Sequence, residues 1–236
     1  MSAHQFDALA IHLCADTATR GIRRQWPPAM AAPDTLRRLL QICEHAGIAE
    51  QQILRGDQAT SEALLAALHD AGDVLGVDGV VVLTFSGHTE RGDGPIATAR
   101  WCLVGGGLEL SQLAGQLAAL PATTSLILVC DTCYAAAIAQ VLCGPQPVVV
   151  LASCGDDQTM IDRLRSELVV RLEAFVCAPG GQDSLAALRS RLESDAPDCE
   201  RPVVWTNAAH RWSAPAIAVP PRTRGCMVEV FTAAIR

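Results

Sequence analysis

Lysine is absent from this chain of 236 residues, so all 18 of its basic side chains are arginines. The 25 acidic residues outnumber them, leaving a net charge of -7. No run of arginines gathers into a patch, and that balance argues against a nucleic-acid partner. Charged residues make up only 18% of the chain and hydrophobic residues 50%, which excludes global disorder and leaves material for a sizeable core. No apolar stretch reaches the roughly 18–20 residues a bilayer-spanning helix requires. Residues 1–20 lack the basic start and apolar run of a secretory signal. The expectation is a cytoplasmic protein with no membrane partner. Ten cysteines are present, but a chain this long and core-rich needs no disulfide scaffold. Cys14, Cys43, Cys102, Cys130, Cys143 and Cys177 read as small buried hydrophobes.

What is present is organised around residues 126–138, Leu-Ile-Leu-Val-Cys-Asp-Thr-Cys-Tyr-Ala-Ala-Ala-Ile. The apolar run without alternation reads as a strand buried on both faces. The Ala-rich stretch at 134–142 reads as a helix. Cys133 would then sit at a strand's carboxyl end and a helix's amino end, where unpaired N–H groups favour a thiolate.

In chain order, residues 7–14 read as a first strand and 15–34 as a loop containing Trp26-Pro27-Pro28 and Pro33. Asp34 or Thr35 is expected to cap a helix over 35–46, and Thr60 or Ser61 a second over 61–71. Between them, 48–54 is a short strand. Residues 79–85 form the strongest strand of the sequence and run into Ser86-Gly87-His88. Residues 89–95 are expected to be loop, 101–104 a hairpin arm closed by Gly105-Gly106-Gly107, and 109–120 a helix. After the organising strand come a strand over 147–153, helices over 160–177 and 183–195, and a strand over 202–206. A further short strand is expected at 227–231.

Strands alternating with helices predict an α/β fold, a three-layer sandwich with a mostly parallel sheet of about six strands and helices on both faces. One domain would cover 1–236, its core about 7–207, with 208–236 packing on it as an extension. Ligands of such sheets bind beyond the carboxyl ends of the strands. Three polar turns fall there: Ser86-Gly87-His88, Asp131-Thr132-Cys133 and Cys154-Gly155-Asp156. If their strands are neighbours, about 4.8 Å apart, His88 and Cys133 meet across one cleft. A thiolate there can attack a carbonyl carbon while the imidazole holds or delivers the proton. Backbone N–H groups at Thr89 and Cys133 are placed to hold the oxyanion, and no metal is required.

Phe85-Ser86-Gly87-His88 and Asp131-Thr132-Cys133 resemble the His and Cys motifs of the caspase-like cysteine peptidases. The third turn, Ala152-Ser153-Cys154-Gly155-Asp156-Asp157-Gln158-Thr159 with Asp162 beyond, is similar to a segment of metacaspases and their bacterial relatives. The resemblance implies a cysteine endopeptidase with His88 as general base and acid and Cys133 as nucleophile. It also implies Asp131 and Asp156 as the lining of a pocket for Arg or Lys before the cut, in a protein or peptide substrate. No cofactor is implied; calcium stays open as an activator, and a regulatory protein as a partner. Two positions depart from that pattern. Tyr134-Ala135-Ala136 stands where the family has His-Ser-Gly, and Thr89 where it has Gly.

Two other functions follow from the same residues. A catalytically degenerate caspase-like module would act as a scaffold or regulator. A thiol–disulfide oxidoreductase would use Cys130 and Cys133, formally a Cys-x-x-Cys, although Cys130 falls inside the predicted strand and would point away from Cys133.

Overall fold

Seven consecutive buried residues make Ser125–Asp131 a central strand, flanked in parallel by Leu75–Ser86 on one side and Val148–Ala152 on the other. In this computed structural model the described residues are 6–21, 24–91, 98–155, 165–177, 185–194 and 202–207. Their strands and helices are β1 Phe6–Cys14, β2 Thr19–Arg20, β3 Gln25–Trp26, α1 Ala32–His45, β4 Glu50–Arg55, α2 Ser61–Val74, β5 Leu75–Ser86, β6 His88–Glu90, β7 Arg100–Leu103, β8 Gly106–Glu109, α3 Leu110–Ala118, β9 Ser125–Asp131, β10 Val148–Ala152, α4 Glu167–Val176, α5 Leu185–Glu193 and β11 Val203–Thr206. The main sheet runs β11-β10-β9-β5-β1-β4, parallel throughout except for the antiparallel edge strand β11. A second sheet, β3-β2-β7-β6 with β8 on β7, stands beyond the carboxyl ends of β1 and β5.

Side-chain alternation divides the core into two. Ile11, Leu13, Val81, Leu83, Phe85, Leu126, Leu128 and Val150 pack with α2, α3 and Trp101 on one face. Ala10, Val80, Val82, Ile127, Val129, Val149 and Leu151 pack against α1, α4 and α5 on the other. Because both faces are covered, the strands carry uninterrupted apolar runs. The result is the α/β, three-layer arrangement of a mostly parallel six-stranded sheet between helices.

Several local expectations are corrected. Helix α1 begins at Ala32, not at Thr35: Pro33 lies in its first turn, where a missing N–H costs nothing, and no side chain caps it. Asp34 instead pairs with Arg37 and Arg38, each at 2.7 Å. The expected loop before α1 contains β2 and β3, and the loop expected over 89–95 opens with the last two residues of β6. Thr60 does cap α2, its hydroxyl accepting from the Ala63 N–H at 3.1 Å. The long helix expected over 160–177 begins, among the described residues, only at Glu167, with Ser166 as its cap and Arg165 outside it. The strand expected at 227–231 and the extension over 208–236 lie outside the described residues.

Candidate active site

The final rung of the β5–β9 ladder pairs Ser86 with Asp131, and the Gly87 N–H donates to the Asp131 carbonyl at 3.3 Å. His88 and Cys133 each lie two residues beyond that rung. Gly87 is required by closeness, not by its backbone angles. A Cβ there would stand 2.6 Å from the Ala15 Cβ and 2.9 Å from the Phe85 ring. Past this point His88 enters β6 and the second sheet, while Thr132 and Cys133 form the turn after β9. Both side chains line one cleft of about 310 Å³, together with Trp26, Pro27, Asp131 and Arg165.

His88 is held from the side of β3. Its Nε2 lies 3.0 Å from the Pro27 carbonyl, which can only accept, so Nε2 carries a proton. Trp26 stacks on the imidazole, the ring centroids 4.8 Å apart and 23° from parallel. Arg24 lies over the indole in turn, its guanidinium carbon 3.6 Å from the ring centroid. Sequence reasoning missed both supports, because a backbone carbonyl leaves no residue-type signal. The one available hint was the stiffness of Trp26-Pro27-Pro28 just ahead of a helix.

Cys133 is half-buried, whereas Cys102, Cys130 and Cys154 are buried. Burial pushes the Cys102 thiol up to about 12 and the Cys154 thiol up to about 11, making both poor nucleophiles at neutral pH. Cys14 and Cys43 are buried as expected, but Cys143 and Cys177 are exposed, which corrects their assignment to the core. The segment after Cys133 corrects another expectation. Residues Ala135–Gln140 form a 3₁₀ helix rather than an α-helix, and Tyr134 adopts left-handed angles, φ 52° and ψ 33°. Six residues of 3₁₀ helix direct little aligned dipole at Cys133.

Asp131 sits at the cleft floor, 4% exposed. The Thr35 hydroxyl donates to its Oδ2 at 2.8 Å and the Ser166 hydroxyl to its Oδ1 at 2.7 Å, with Ser86 as a third partner. Burial raises its pKa and the hydroxyls pull it back. Its partners are hydroxyls from α1, the end of β5 and the cap of α4. Thr35, expected to cap α1, is engaged here instead.

Asp156 lies outside the described residues. Thr89, expected to offer a backbone N–H to an oxyanion, is not among the residues lining the cleft; its hydroxyl meets that of Thr132 at 2.8 Å. The Gly87 N–H is engaged by the Asp131 carbonyl. Two arginines that composition did not single out, Arg24 and Arg165, stand on the cleft wall, both exposed. Cys130 packs on the α2–α3 face of the sheet and is in no disulfide. Among the described residues no group of three or more His, Cys, Asp or Glu side chains could hold a metal ion, and no helix is long and apolar enough to cross a membrane.

No family model and no curated protein matches the chain. Among solved structures it is similar to the crystal structure of protein GSU0716 from Geobacter sulfurreducens, with 16% identity, a TM-score of 0.68, and coverage of 85% of this chain and 93% of that one. The likeness is one of fold. At that identity it carries no information on chemistry.

Proposed function

We propose that the protein is a cysteine endopeptidase of caspase-like type, with Cys133 as nucleophile and His88 as the proton carrier. The observation that supports this most is the cleft itself: an imidazole and a half-buried thiol, from neighbouring parallel strands, line one cavity at the carboxyl end of the sheet. The Pro27 carbonyl fixes the imidazole so that Nδ1 is the basic nitrogen, and it can stabilise the imidazolium formed when the thiol loses its proton. The thiolate attacks the scissile carbonyl, the imidazolium returns its proton to the leaving amine, and water hydrolyses the thioester.

Specificity for Arg or Lys is proposed from Asp131. A carboxylate this buried, partnered by hydroxyls, gains most from a cation entering the cleft. Arg24 and Arg165 favour a second reading, in which the cleft takes an acidic residue. Both are exposed and Arg24 is laid flat on Trp26, so they suit the flanks of a substrate better than the floor.

Fluorogenic peptides ending in Arg, Lys or Asp test both readings. The expected outcome is hydrolysis of the Arg and Lys peptides, lost in Cys133→Ala. Hydrolysis of the Asp peptide alone would transfer specificity to the arginines. No hydrolysis of any of them, with Cys133 alkylating as an ordinary thiol, would favour a non-catalytic module.

A further inference from the structure

Beyond the Ser86–Asp131 rung the two segments that carry the dyad diverge. His88 goes into the second sheet and Cys133 into a turn. There the Thr89 and Thr132 hydroxyls meet at 2.8 Å, both side chains buried. Thr89 immediately follows His88, and Thr132 immediately precedes Cys133. Each end of this bridge is itself fixed. Thr89 pairs in β6 with Trp101, whose ring stacks on Phe85 at 4.2 Å. Thr132 has its N–H donated to the Ser153 hydroxyl, while its carbonyl accepts from that hydroxyl, both at 3.2 Å, and from the Cys154 thiol at 3.3 Å.

We infer that Thr89 and Thr132 are positioning residues: their hydroxyl bridge sets the separation of the His88 imidazole and the Cys133 thiol. The inference rests on the dyad reading above. It also gives a role to Thr89, which stands where the resembling family has Gly. A glycine there would offer no side chain to span the two diverging segments. Since each end is anchored to a rigid part of the core, the bridge cannot lengthen without moving one member of the dyad. Displacements of about 1 Å at a reacting pair cost on the order of 100-fold in rate.

The test compares Thr89→Val, Thr132→Val and the double variant with Thr89→Ser and Thr132→Ser. Three quantities are read: kcat, KM, and the pH profile of Cys133 alkylation by iodoacetamide. The valines are expected to lower kcat by about 10–100-fold with KM within twofold. They should also move the alkylation profile toward that of an unassisted thiol, near pH 8.5. The double variant should be no worse than either single one, since one bond is lost in each case, and the serines should restore the wild-type profile. If valine lowers the melting temperature below that of the assay, Thr89→Ala removes the hydroxyl with less bulk. Wild-type kcat and profile in folded valine variants would overturn the bridge while leaving the dyad standing. So would a loss confined to KM, or one the serines do not reverse. A wild-type protein whose Cys133 alkylates as an unassisted thiol would overturn the dyad itself.

Discussion

His12 and His88 both belong to strands of a buried framework, yet the structure treats them in opposite ways. His12 lies mid-strand in β1 with β4 and β5 on either side, fully buried. Its Nδ1 meets the Thr84 hydroxyl at 2.9 Å and its Nε2 the Gln51 Oε1 at 3.0 Å. Gln51 donates its own N–H to the Ile48 carbonyl at 3.2 Å, which fixes the amide orientation. Nε2 therefore carries a proton, and burial lowers the pKa to about 4, which favours the neutral ring. His88 is half-buried at a cleft, with one nitrogen fixed by a backbone carbonyl and one ring face covered by Trp26. Burial with both nitrogens satisfied makes a structural histidine. Partial burial at a cleft leaves His88 the access to solvent that His12 lacks.

The largest effect should separate the two directly. His88→Ala is expected to lower turnover by about 10²–10⁴-fold while leaving the melting temperature nearly unchanged. His12→Ala should do the reverse, preserving turnover in the folded fraction and costing about 2–4 kcal/mol through a cavity and unpartnered polar groups. Peptide hydrolysis and urea unfolding on both variants check the pair. Equal losses of turnover at temperatures where both are folded would erase the distinction.

A pH series sharpens it further. The folded-state pKa of His12, about 4, lies below its ordinary 6.5, so its contribution to stability is complete above pH 6.5 and is lost as pH falls toward 4. The total is on the order of 3 kcal/mol, at up to about 1.4 kcal/mol per pH unit. Asp131 bends the curve the other way. Its carboxyl is raised by burial, so stability falls as pH rises through its folded pKa. Urea midpoints at pH 7.5 and 4.5 for the wild type and His12→Leu isolate the imidazole; a variant that keeps the wild-type acid sensitivity would assign it elsewhere.

His88 was legible in the sequence because an uninterrupted apolar strand ends in Ser-Gly beside it, and Cys133 because a similar strand ends in Asp-Thr beside it. Long apolar runs located β5, β9 and β10, since strands covered on both faces have no polar alternation to confuse the pattern. Contacts that close over long chain distances were not legible. Thr35 reaches Asp131 across 96 positions and Pro27 reaches His88 across 61, and neither leaves a local pattern. Two-residue strands such as β2 and β3 are too short to carry periodicity. The Ala-rich run after Cys133 has helix propensity, but the left-handed turn at Tyr134 and packing against the sheet hold it as a 3₁₀ helix.

Gly87 offers a smaller perturbation of the His88 side of the comparison. Alanine there brings a Cβ into the Ala15 Cβ and the Phe85 ring, so about 1–3 kcal/mol of stability should be lost and His88 displaced with it. Ala15→Gly removes the closer of the two contacts, and the double variant should recover part of both stability and turnover. Thermal melts and kcat on the single and double variants decide it; a fully additive double variant would place the strain elsewhere.

The smallest effect expected concerns the ring that covers His88. An aromatic pair of this geometry contributes about 0.5–1.5 kcal/mol beyond burial, which corresponds to roughly 2–10-fold in turnover if the stacking serves to orient the imidazole. Trp26→Leu removes the ring and should lower kcat within that range with KM little changed. Trp26→Phe keeps a ring against His88 and removes an indole N–H that is buried without a partner, so it should retain kcat and gain slightly in stability. A rise in KM with kcat intact would make Trp26 a wall for substrate rather than an orienting contact. Orientation would then rest on the Pro27 carbonyl.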